Sequence, residues 1–96
     1  MNRADFEAHL QREGYDEILV IDRPARDPRV VHDHAHDFDV KAMVLNGSLA
    51  VRRPEGDREF SAGDTFEVPA GHPHNELIGA QGVSLLVGRR RAQPAA

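Results

Sequence analysis

The repeat of apolar and polar residues along the chain changes once, at Gly14. Before it, Phe6 and Leu10 stand four positions apart, a spacing that puts both on one face of a helix. Asn2 offers a capping oxygen, Asp5 belongs to the first turn, and Gly14 can end the element. This pattern predicts a short helix over 2–13, with His9 on its solvent face. After Gly14 the period shortens. Tyr15–Asp22, Arg29–Asp33, Asp39–Leu45, Ser48–Arg53, Arg58–Ser61, Thr65–Val68, Asn75–Ile78 and Val83–Arg89 each read as a short strand closed by Gly, Pro or Asn. Asn46-Gly47 predicts a hairpin turn. Pro54–Asp57 and Ala62–Asp64 predict two more, and Pro69–Pro73 and Gly79–Gly82 longer breaks. Short strands at this spacing predict an all-β antiparallel sandwich or barrel, and a barrel protects its edges better. Val44, Leu49, Val51, Phe66, Val68, Leu85 and Val87 are the candidate interior.

With 96 residues the chain makes one domain, a helix at 2–13 and a strand-built core over roughly 15–90. So short a chain buries a modest core, so closure, a bound ion or a dimer would each help it. The Tyr15–Asp22 strand is the candidate for extending a partner's sheet in a homodimer. The absence of cysteine rules out disulfides, thiolate metal sites and a Cys nucleophile. The formal net charge of −4 argues against a nucleic-acid partner. Arg89-Arg90-Arg91 is the one basic cluster and reads as a solvated strand end. Met1–Glu13 is charged throughout and no apolar run approaches a membrane span, so a soluble cytoplasmic protein without membrane contact is expected.

The candidate chemistry is concentrated in histidines. Three of the six stand at alternate positions, His32, His34 and His36, and His74 follows the Pro69–Pro73 turn. Alternate strand residues share a face. Two imidazoles of such a strand converge, and a distant strand can add a third. Neutral imidazole suits Fe, Ni, Cu or Zn. Glu76, two residues past His74, shares its face and is a candidate ligand, water-bridged partner or general base. His72 and Lys41 read as pointing away, and Asp64 as bonding amides of its own turn.

In these residues the chain resembles the cupin family. Its first motif, Gly-x5-His-x-His-x3–4-Glu-x6-Gly, is met by His34, His36 and Gly47. Its second, Gly-x5-Pro-x-Gly-x2-His-x3-Asn, is met by Gly63, Pro69, Gly71 and His74. The likeness runs from about Asp27 to Arg89. Val40 stands where the family has its glutamate ligand, Pro28 where it has its first glycine, and Ile78 where it has its closing asparagine. Asp39, beside Val40, would reach inward only through a bulge. The alternative register, His32 with His34, misplaces Gly47.

The resemblance implies an antiparallel jelly-roll barrel with the N-terminal helix packed outside. It implies one divalent transition metal (Fe, Ni, Mn, Cu or Zn) on His34, His36 and His74, with Asp39 or Glu76 as carboxylate ligand or catalytic base. The expected function is a metal-binding small cupin, of enzymatic dioxygenase, isomerase or lyase type, acting on a small polar molecule. The competing expectation is a non-catalytic small-molecule-binding or sensing module.

Overall fold

The computed structural model describes residues 1–25 and 36–91. His32, His34 and the expected strand Arg29–Asp33 therefore lie outside the described residues. The chain runs α1 (Arg3–Arg12), β1 (Glu17–Arg23), β2 (Phe38–Arg53), β3 (Gly56–Ser61), β4 (Thr65–Val68) and β5 (Asn75–Arg91).

The helix forms where its local signals place it. Asn2 Oδ1 accepts from the Asp5 amide at 2.8 Å, the N-cap bond that satisfies an otherwise orphaned donor. At the far end Gly14 takes φ +79° and donates to the Gln11 carbonyl. Phe6 and Leu10 are buried and pack with Tyr15, Met43 and Leu86 on the outside of the sheet. Gly88 lets them approach: a Cβ there would meet Leu10 Cδ2 at 2.8 Å and Tyr15 Cβ at 3.1 Å. Arg90 fastens this edge. Its guanidinium lies 4.4 Å over the Tyr15 ring and donates to the Glu13 carbonyl and to Asp39 Oδ2.

Of the eight short strands expected, seven fall within the described residues, and these form five, because two pairs are single long strands bent by bulges. Asn46-Gly47 is not a hairpin. β2 passes through it, paired to β5 on both sides, with register shifts between Val44 and Asn46 and between Gly47 and Leu49. Gly47 has φ +76°, the conformation an Asn-Gly turn would use. Here it serves a bulge: a Cβ at Gly47 would stand 2.0 Å from the Gly82 carbonyl oxygen. Asn75–Ile78 and Val83–Arg89 are likewise one strand, β5, with 79–82 bulging opposite Ser48. A bulge bends a strand without ending it and increases the local twist.

The bulges also exchange the inward and outward sides. Val40, Ala42 and Val44 face the interior before the β2 bulge, and Leu49 and Val51 after it. On β5 the interior row passes from Ile78 to Val83, Leu85 and Val87. All seven interior candidates are buried there. Among the described residues the strand order is β1-β5-β2-β3, with β4 pairing β2 beyond β3. The curled sheet brings Ile21 of β1 and Phe66 and Val68 of β4 to one cavity, so its two edges face a shared interior.

Candidate metal centre

His36 lies just ahead of β2, and its ring stacks on Phe38 (centroids 4.8 Å, interplanar 15°). His74 follows the turn that leaves β4. The same short stretch of chain fixes both. The Gly71 amide donates to the His36 carbonyl at 2.7 Å, and the Ala70 amide to Asp39 Oδ1 at 2.9 Å. Two successive amides of the His74 turn are thus held by the segment that carries His36. The two rings come to 5.2 Å between centroids, tilted by 57°.

His74 is 2% exposed. Its Nδ1 faces the His72 carbonyl at 3.1 Å. A carbonyl only accepts, so Nδ1 carries a proton, and in the neutral form of the ring the lone pair is on Nε2. Nε2 stands 3.6 Å from Glu76 Oε1. A backbone carbonyl that sets the tautomer in this way prepares an imidazole to act as a ligand.

His36, His74 and Glu76 line a cavity of about 150 Å³. Ile21, Val40, Ala42, Phe66, Val68, Leu85 and Val87 form the apolar part of its wall. Phe38, Arg23 and Arg89 complete it. Larger depressions of about 540 and 670 Å³ lie elsewhere on the surface, without converging histidines.

Of the expected site residues the structure brings His36, His74 and Glu76 together. His34 is outside the described residues. Asp39 is not brought to them. Strand alternation holds from Phe38 to Met43 without a bulge, so Val40 lines the cavity and Asp39 faces the helix side. There its oxygens take the Ala70 amide and, at 3.2 Å, Arg90 Nε. Among the described residues no group of three His, Asp or Glu side chains is placed to hold a metal ion. The donor chemistry nevertheless fits a borderline divalent ion: two imidazoles, one with its tautomer fixed, and a carboxylate beside it.

The remaining described histidines, His9 and His72, are engaged elsewhere. His72 Nε2 is 2.7 Å from Glu55 Oε1. A hydrogen bond from its own backbone amide, reinforced by His72, holds the Glu55 carboxyl below its ordinary 4.5. Lys41 donates to His9 Nε2 at 2.7 Å and lies 3.9 Å from Glu67, half-buried rather than solvated.

Arg89 was hidden in the basic cluster. It shares its face of β5 with Val83, Leu85 and Val87, and that alternation was the readable signal. Its guanidinium lies 5.3 Å over Phe38 and 3.4 Å from Glu17 Oε1.

No protein-family model matches the chain, and no curated protein does. Solved structures do. HppE in its Fe(II) and Co(II) forms superposes with TM-scores of 0.66 and 0.65, at 16% identity over 76% of this chain. The match takes in 42% and 44% of those chains, so this one spans about two fifths of HppE's length. A cupin-2 domain protein from Shewanella frigidimarina gives 0.58 at 20% identity, over 76% of this chain and 69% of that one. A cupin protein from Bacteroides fragilis gives 0.62 at 16% identity, over 82% and 68%. Sheet, outer helix and these superpositions agree: the chain has the cupin fold.

Proposed function

We propose that this domain is a metal-dependent cupin that takes a small polar molecule into the cavity beside His36 and His74. The observation that carries the reading is the convergence of those two rings, at 5.2 Å, on one cavity with Glu76 beside them. His34, His36 and His74 would hold one divalent transition ion, with Glu76 as the adjacent carboxylate. The Fe(II) and Co(II) forms of HppE support an ion of this class. A bound divalent ion supplies Lewis acidity and can bring a coordinated water's pKa towards ~7.

The chain's own residues then have distinct tasks. The His72 carbonyl keeps the His74 proton on Nδ1, and the Ala70 and Gly71 amides hold the His74 turn against the His36 segment. Glu76 can accept or return a proton at Oε1 within the cavity. Turnover of the oxygenase, isomerase or lyase type belongs to this reading.

Elemental analysis of untagged protein tests it. About one equivalent of transition metal per chain is expected, lost on His36→Ala and His74→Ala while the barrel stays folded. His9→Ala and His72→Ala should keep it. Full occupancy in the His36 and His74 variants would overturn the assignment. Assay of the loaded protein against small acids and thiols, with and without O₂, separates an enzyme from a binding module.

A further inference from the structure

We propose that Arg89, with Arg23, draws the carboxylate of a small organic acid into this cavity. The inference deepens the reading above and rests on it for the identity of the chamber.

Four observations support it. Arg89 ends the inward row Val83, Leu85, Val87 and lines the cavity with His36, His74 and Glu76. Its Nε is buried and, among the described residues, without a hydrogen-bond partner, a donor whose burial is offset only when an acceptor reaches it. Its one ion pair among the described residues, Nη1 to Glu17 at 3.4 Å, is with a carboxylate 61% exposed, a long contact in solvent that holds the guanidinium weakly. And its plane lies over Phe38, which itself stacks on His36. Arginine, phenylalanine and histidine therefore form one row at the cavity wall.

Charge and shape select the ligand. Among the described residues of the lining, Arg23 and Arg89 accompany one carboxylate, that of Glu76, so the chamber favours an anion. A guanidinium fork matches the two oxygens of a carboxylate and orients what it binds. Ile21, Val40, Phe66 and Leu85 offer apolar contact to a short hydrocarbon body. A space of about 150 Å³ accommodates a molecule the size of benzene, hence about six non-hydrogen atoms.

The test titrates the full chain with butyrate and with its neutral isostere butyramide, as purified and after chelator treatment, followed by NMR shifts and calorimetry. Butyrate should bind at least about tenfold more tightly than butyramide, as expected when a charge-assisted contact is exchanged for a neutral one. Arg89→Met should lose about tenfold in butyrate affinity, Arg89→Lys should keep part of it, and Arg12→Met should match the parent. Arg89→Met should retain its metal. Equal binding of the two probes, undiminished affinity in both Arg89 variants, or no butyrate binding would each overturn the proposal. Because chelated protein is titrated separately, loss of the metal reading and loss of the anion reading give different results.

Discussion

Asp39 stands beside the position where the fold's relatives would place an acidic ligand, yet its oxygens are committed to the Ala70 amide at 2.9 Å and Arg90 Nε at 3.2 Å. It is a positioning residue for the His74 turn. The variants Asp39→Ala and Asp39→Asn separate this role from ligation. The Asp39 side chain is 20% exposed and that of Arg90 29%, so both bonds are largely sheltered from solvent. Hydrogen bonds to charged groups are worth about 1.5–3 kcal/mol each. Alanine removes both acceptors and leaves the turn amide and Arg90 Nε without them, at a cost of about 3 kcal/mol. Asparagine keeps an oxygen for the Ala70 amide and loses the charge, costing about 1 kcal/mol. For a domain of this size each kcal/mol moves Tm by about 4–8 °C. Thermal melts should therefore fall by more than about 10 °C for alanine and by about 5 °C for asparagine. Metal affinity should follow the same order: near parental for asparagine, and about tenfold weaker for alanine, typical of removing a group that orients a ligand. If Asp39→Asn loses as much metal as His74→Ala while remaining folded, Asp39 is itself a ligand and its outward placement is refuted.

Gly88→Ala should weaken docking of α1 by about 1–3 kcal/mol, the range for overpacking a filled site, because the new methyl would meet Leu10 at 2.8 Å; urea melts check it, and an unchanged midpoint would contradict the packing. Tyr15 is the only tyrosine, and burial, opposed by Arg90, raises its pKa above the ordinary 10.0. The neutral phenol is thus favoured in the folded state, so its contribution is complete below pH 10 and lost as pH rises through the folded value. Ultraviolet titration of tyrosinate against denaturant stability should show this loss, and Tyr15→Phe should abolish it. Among the described residues β1 forms one edge of the sheet and exposes 46% of Val20, so we propose a homodimer built on that edge. Sedimentation should give a dimer at tens of micromolar, on the order of a weak self-association threshold, and a monomer for Val20→Lys; a monomeric parent would remove the proposal.

The helix was legible because its determinants are local. Asn2, the Phe6–Leu10 pair and Gly14 lie within one short segment and act there as expected. The hairpin at Asn46-Gly47 was not, because the local signal is ambiguous. A glycine at φ +76° fits a two-residue turn or a bulge equally well. Which one forms depends on β5, whose two halves pair with β2 on either side of the irregularity. Gly82 is the deciding neighbour: its carbonyl occupies the space a side chain at Gly47 would need. A pairing between segments so far apart in sequence leaves no mark on the dipeptide itself.

The site follows the same division. His36, His74 and Glu76 were readable from alternation and turn spacing, and the structure brings them to one cavity. The three arginines that close β5 were not, because a charge run was taken as one feature. On a strand it is two faces. Arg89 continues the inward row of Leu85 and Val87 and reaches the cavity, whereas Arg90 turns outward to Asp39, Tyr15 and the Glu13 carbonyl. Asp39 and Val40 divide in the same way on β2, one towards the helix and one towards the histidines. Period two thus assigns neighbouring charges to different tasks: Asp39 and Arg90 fasten the helix and the turn from outside, and Arg89 and Glu76 set the charge within. Composition counts these residues together, and only the alternation carried through β2 and β5, bulges included, separates structure from chemistry.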